Sequence, residues 1–185
     1  MHIRKAQIED SDAIATLLML ATGEVIRRLI GENNQARAQD LLLHFVKKPY
    51  NQYSHHNCYV AEQDDQIVGA LLAYDGGNLA ALREPFLAHV RQHFNPLATV
   101  EDETQSGEFY IDSIVVSPAH QGKGIGSQLL QHLIQEKAIN QGQTLGLLVD
   151  KTNPSAKKLY LKLGFKTVGK KTLLGLELEH LQLKG

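Results

Sequence analysis

Tryptophan is absent from this chain, cysteine occurs once, and proline accounts for only 5 of 185 residues. The lone Cys58 cannot close an internal disulfide, which excludes a disulfide framework and a multi-cysteine zinc site. It lies in the strand-like run Cys58-Tyr59-Val60-Ala61, so a buried small apolar residue is the expectation there, not a catalytic thiol. A charge excess is missing too. Lysine plus arginine number 19 against 20 acids, a formal charge of −1, which argues against a general nucleic-acid or membrane-surface binder. No apolar stretch approaches the roughly 20 residues of a membrane span, and the opening MHIRKAQIED has no apolar core of a signal peptide. A cytoplasmic, reducing compartment is the expected setting. The length and the 43% apolar fraction fit one domain over 1–185 with a substantial core.

Hydrophobic spacing divides the chain into alternating strands and helices. Residues 2–7 read as a first strand. Asp10 or Ser11 then caps a helix whose Ala13, Ile14, Leu17, Leu18 and Ala21 keep a helical period. A second helix covers about 35–47, with Ala38, Leu41, Leu42, Phe45 and Val46 on one stripe and Pro49 ending it. Strands at 58–63 and 67–74 flank the turn Asp64-Asp65. The segment 75–107 holds a helix near 79–94 and an acidic loop. Beyond it come a strand at 108–117, a helix at about 124–140, a strand at 144–150, a helix at 154–163, and strands near 165–169 and 173–182. Such alternation implies parallel pairing in an α/β layer arrangement.

The run Ile114-Val115-Val116-Ser117-Pro118-Ala119-His120-Gln121-Gly122-Lys123-Gly124-Ile125-Gly126-Ser127 carries the sharpest signal. An apolar strand ends at a proline, glycines alternate, and an amphipathic helix starts at once. Glycines let a ligand approach the backbone, while unpaired N–H groups at a helix start attract anions. This is a candidate phosphate cradle. A Walker loop does not fit, because position 119, its first glycine, is alanine. A dinucleotide fingerprint does not fit either: its third small residue falls on Ser127, and the loop trails its strand by five residues.

A second constellation runs from Asn153-Pro154 to Leu163-Gly164-Phe165. Asn153 is a good N-cap, Pro154 suits the first helical position, and Gly164 suits the C-terminal cap. Ala156, Leu159, Tyr160 and Leu163 form an inward stripe, so the Tyr160 hydroxyl needs a partner inside. Taken alone, Tyr160 reads as a core residue.

Together, Gln-Gly-x-Gly-x-Gly after a strand, then Asn, six residues, Tyr and Leu-Gly-Phe, closely resemble the GNAT superfamily of acyl-CoA-dependent N-acetyltransferases. The match is strong over 108–166, and the segment 75–107 is longer than the family's usual link. The resemblance implies a mixed central sheet flanked by helices, its fourth and fifth strands splayed around the pantetheine arm of acetyl-CoA. Backbone groups of Ile114, Val115 and Val116 would pair with that arm, as in strand addition. Amides of Gln121, Gly122, Lys123, Gly124, Ile125, Gly126 and Ser127 would hold the pyrophosphate, with Asn153 facing the arm from the other side. No metal is implied, and the resemblance also allows a homodimer.

The implied reaction is direct attack of an amine on the thioester. A backbone N–H near Val115 would receive the oxyanion, and Tyr160 occupies the family's position for the acid that protonates the departing thiolate. Asp112, expected on one face with Glu108, Tyr110, Ile114 and Val116, is the candidate base, with a structural role as the alternative. The fifth-strand site used by other members is Leu148 here. Residues 151–171 contain seven lysines and no acid, a field suited to an anionic cosubstrate; Lys158 is the candidate for direct contact.

The acceptor is open. Asp75, Glu84, Glu101, Asp102 and Glu103 against Arg83 and Arg91 make 75–107 an acidic insertion, suited to covering the pocket of a cationic small-molecule amine. A solvated loop explains it as simply, and peptide or protein amines stay open. So does a non-catalytic acyl-CoA-binding module. His89 and His93 have helical spacing, but Val90 replaces the glutamate of a zinc-protease signature. His180 reads as either a pocket residue or a packed strand residue.

Overall fold

The computed structural model describes residues 1–185. In chain order the elements are β1 (His2–Lys5), α1 (Ser11–Ile30), α2 (Gln35–Lys47), β2 (Cys58–Gln63), β3 (Gln66–Asp75), α3 (Leu79–His93), β4 (Phe109–Val116), α4 (Ile125–Leu133), β5 (Leu145–Asp150), α5 (Pro154–Lys162), β6 (Lys166–Leu173) and β7 (Leu176–Leu183). The boundaries follow the hydrophobic spacing closely. The first helix departs most from expectation. Its stripe is clear only to Ala21, yet α1 runs through the buried Gly23 to Ile30 and ends at Gly31, whose φ of 71° suits glycine. The first strand is shorter than 2–7, because the Asp10 carboxylate accepts the Gln7 N–H at 2.7 Å and turns the chain there. The helix expected at 124–140 changes to a π-helical turn over Ile134–Ile139.

One seven-stranded sheet, ordered β1-β2-β3-β4-β5-β7-β6, forms the middle layer. Parallel pairing is confined to β4 and β5; every other neighbouring pair is antiparallel. The expected parallel layer therefore shrinks to one pair, because the β6–β7 hairpin folds back and sets β7 beside β5. A core that includes Ile14, Leu42, Phe45, Val60, Leu72 and Phe86 packs α1, α2 and α3 on one face. On the other face, Leu71, Ile111, Leu129, Leu130, Tyr160 and Phe165 pack α4 and α5. Cys58 is fully buried, its thiol pushed up to about 12 by burial, and contributes to the first core.

Two local features shape the middle of the sheet. In the β3–β4 ladder Leu72 opposes Ser113 and Ala73 opposes Ile111, leaving Asp112 as an extra residue in a bulge. The bulge overturns the expected common face for the even positions of β4. Tyr110 packs with Tyr74 and Leu79, whereas Ile114 and Val116 pack on the α4 side and Val115 packs under Leu17 of α1. At the start of β4, the buried Glu108 carboxylate receives Gln182 at 2.7 Å and Thr104 at 2.6 Å, and lies 2.8 Å from His180 Nε2. It passes over β5 at Gly146, where an added Cβ would meet the carboxylate at 2.1 Å. His180 is thus a packed strand residue.

Burial by itself would raise the Glu108 carboxyl; the hydrogen bonds from His180, Thr104 and Gln182 outweigh it and hold the group below its ordinary 4.5. A carboxyl lowered on folding stabilises the protein above its unfolded value, and that contribution is lost as pH falls through the folded one. Denaturant titrations should therefore show stability declining below about pH 4.5, with a shallower acid dependence in Glu108→Gln. Gly146→Ala, which displaces the carboxylate from its partners, should cost about 1–3 kcal/mol at pH 7.

Candidate active site at the split between β4 and β5

The β4–β5 ladder consists of Phe109↔Leu145, Tyr110↔Gly146 and Ile111↔Leu147, and ends there. On its other side β4 stays paired with β3 as far as Val116↔Gly69. The β5-facing edge of β4 is thus open from Asp112 to Val116; Val115 turns its backbone groups to Ala70 of β3, and Ile114 and Val116 turn theirs toward the gap. Just beyond, Gly122 and Gly124 adopt left-handed φ of 76° and 79°. This turn aims the start of α4 back toward the gap's end of the sheet. The consecutive N–H groups from Gly122 to Ser127 have no intramolecular acceptor. Gly126 lies against Val116 and Ile114, whose side chains would stand 3.7 and 3.9 Å from an added Cβ. Gln121 closes the loop by donating to the Val116 carbonyl at 3.2 Å. Unpaired amides at a helix start form an anion-receptive surface.

Across the gap, Asn153 caps α5 by accepting the Ala156 N–H at 3.1 Å. Tyr160, about two turns on, is 8% exposed and makes no hydrogen bond within the protein. Burial raises its hydroxyl above the ordinary value, so it remains a proton donor at neutral pH. Asn153, Tyr160, Asp112 and Ile114 line one cavity of about 400 Å³. Val115, Val116, the residues Gln121–Ser127 and Lys158 lie outside its lining, on the open edge, the loop and the exposed face of α5. Lys158 is exposed and has no acidic partner. The basic strip is weaker than its lysine count suggests: Glu177 pairs with Lys151 and Lys170, and Glu179 with Lys157 at 2.8 Å.

Within the cavity, Asp112 Oδ2 accepts Gln52 Nε2 and Tyr74 Oη, each at 2.8 Å, while Oδ1 accepts Ser113 Oγ at 2.9 Å. A carboxylate offers about four acceptor positions, so roughly one remains for a ligand. Glu103, from the loop before β4, shares the same two donors at 3.0 Å from Gln52 and 3.2 Å from Tyr74. Its other oxygen is paired with the buried Arg83 of α3. Burial, together with the Asp112 charge, drives the Tyr74 hydroxyl well above its ordinary value, which keeps it a donor. Sequence reasoning missed Gln52 and Tyr74 as site residues. Tyr74 belongs to an apolar strand run, Gln52 to an irregular loop, and only the bulge at Asp112 brings them together.

The segment 75–107 does cover the cavity, through Arg83, Phe86, Leu87, Val100 and Glu103. Its acidic charge is largely spent internally, since Arg83 holds Asp102 at 3.0 Å as well as Glu103, and Arg91 stands 3.5 Å from Glu84. His89 stacks among His44, Phe45, His93 and Phe94 on the far side of α3.

The sheet is thus split between two parallel strands, with an amide-lined loop at one end of the gap and a largely apolar cavity at the other. The Acetyltransferase (GNAT) family model matches residues 24–165, and the chain belongs to this family. One solved acetyltransferase is 30% identical over 100% of this chain and 99% of its own, with a TM-score of 0.84. An N-acetyltransferase from Staphylococcus aureus Mu50 is 24% identical, covering 99% of this chain and all of its own, with a TM-score of 0.87. Diaminobutyrate acetyltransferase EctA from Paenibacillus lautus, solved with L-2,4-diaminobutyric acid and coenzyme A, shares the fold at 17% identity and a TM-score of 0.55, over 98% of this chain and 93% of its own. No curated protein sequence matches. No helix is long and apolar enough to cross a membrane.

The left-handed turn at Gly124 yields a direct check. Gly124→Ala should cost about 1–2 kcal/mol of stability and, by displacing the amides, raise the Kd for coenzyme A about tenfold in calorimetry.

Proposed function

We propose that the protein transfers an acetyl group from acetyl-CoA to the primary amine of a small molecule, by direct attack and without a metal. One observation carries the reading: the open β4 edge leads from an amide-lined anion site to a cavity holding both a carboxylate and a buried tyrosine. Backbone groups of Ile114 and Val116 pair with the pantetheine arm, amides of Gln121–Ser127 receive the pyrophosphate, and Asn153 flanks the arm. Lys158, an unpaired cation nearby on α5, contacts the phosphate or adenosine end. The EctA fold with bound coenzyme A is consistent with this placement, and a cytoplasmic setting with the cosubstrate.

The acceptor arrives as an ammonium of pKa about 10.4, which cannot attack. Asp112 takes its proton through the free acceptor position on Oδ1, directly or through water. As the nitrogen–carbon bond forms, the N–H near Val115 steadies the carbonyl oxygen. When the carbon–sulfur bond breaks, Tyr160 gives its proton to the thiolate, and the second proton the nitrogen sheds on becoming an amide returns to the phenolate through water. The raised Tyr160 hydroxyl holds its proton through neutral pH.

Tyr160→Phe should lower kcat by about 10²-fold while leaving the acetyl-CoA KM nearly unchanged; a variant as fast as the parent from pH 6 to 9 would end the acid assignment. Asp112→Asn should lose about 10²-fold in kcat/KM at pH 7. The deficit should narrow as pH rises, because more acceptor is then already deprotonated. A purely structural Asp112 predicts a loss independent of pH.

A further inference from the structure

The cavity continues past the reacting groups, and its walls describe the acceptor. Its lining includes Val25 and Leu29 of α1, Phe86 and Leu87 of α3, and Val100. Leu29, Phe86 and Leu87 are 5%, 1% and 6% exposed and belong to the main core, so this wall is apolar and built from core side chains. Arg83 is the lining cation, and Glu103 and Asp112 are the lining acids. Arg83 is already committed to Glu103, to Asp102, and to the Glu101 carbonyl at 3.1 Å. Asp112 is held only by neutral donors. One uncompensated negative charge therefore faces an apolar recess.

From this we infer, resting on the acetyltransferase reading above, that the acceptor is a monoamine with a compact apolar body and no carboxylate. Its ammonium sits at Asp112, and its aliphatic or aromatic body fills the recess between α1 and α3. An amino acid of the same shape would bring its carboxylate beside Asp112 and Glu103, with Arg83 unable to receive it; like charges so placed repel strongly. A diamine would bury a second cation against the apolar wall, where nothing pairs with it.

The test measures thiol release from acetyl-CoA with 2-phenylethylamine and isoamylamine, set against L-phenylalanine, L-leucine, putrescine and a lysine-containing peptide. Calorimetry of coenzyme A binding runs in parallel. The two apolar monoamines should exceed their carboxylated counterparts by at least about 100-fold in kcat/KM. Val25→Trp, which adds bulk at a half-buried position of the apolar wall, should raise the KM for 2-phenylethylamine at least about tenfold, with the Kd for coenzyme A within about twofold. The near-isosteric Val25→Thr, which disturbs folding less, should shift KM the same way by about threefold. Equal use of phenylalanine, preference for putrescine or peptide, or an unchanged KM in both Val25 variants overturns the acceptor class while acetyl transfer stands. Coenzyme A binding with no thiol release from any amine overturns the enzymatic reading, and the acceptor class with it.

Discussion

The rest of the structure depends on β4 and β5 being joined at one end and parted at the other. Three residue pairs hold them together, and the Glu108 carboxylate reinforces the join by reaching across Gly146 to His180 and Gln182 on β7. The bulge at Asp112 then shifts the register of β4 against β3, and the parallel ladder is not resumed. Unpaired strand edges are usually a liability. Here the exposed donors and acceptors run directly into the amides ahead of α4, so a ligand that pairs with the edge meets an anion site at its end.

The same bulge organises the chemistry. By adding one residue it sends Asp112 and Ser113 together into the cavity lining, while Val116 goes to the α4-side core and Ile114 bridges that core and the cavity. Asp112 thereby meets Gln52 and Tyr74, which come from opposite ends of the loop, β2 and β3 region. The long segment before β4 completes the arrangement. It contributes the apolar wall through α3 and a second carboxylate, Glu103, whose charge Arg83 offsets locally. What is left facing the recess is a single acidic centre in apolar surroundings, where electrostatic attraction is stronger than in water.

Much of this was legible in local sequence. The period of the α2 stripe, the Asn153-Pro154 cap, the turn at Asp64-Asp65 with both residues at positive φ, and the glycine loop all rest on interactions within a few residues, which composition and spacing encode directly. The motif pair identified the family for the same reason. Reading failed where a residue's role depends on a distant partner. The even positions of β4 do not share a face, because a bulge is a property of a ladder and not of a strand. The lysines of 151–171 are not a free basic strip, because Glu177 and Glu179 lie opposite several of them on β7. His180, equivocal in sequence, is a partner of Glu108.

By itself, then, the sequence determined the elements, the amide-lined loop, the positions of Tyr160 and Asn153 on their helix, and the acetyltransferase family. These follow from backbone propensity, capping and glycine geometry, all of them local. Only the tertiary structure decided which charges cancel, which face Asp112 takes, and that the insertion and α1 enclose an apolar recess beside it. Those outcomes depend on contacts between residues such as Gln52, Tyr74, Glu103 and Asp112, up to 60 positions apart, and such contacts exist only once the sheet has set its register.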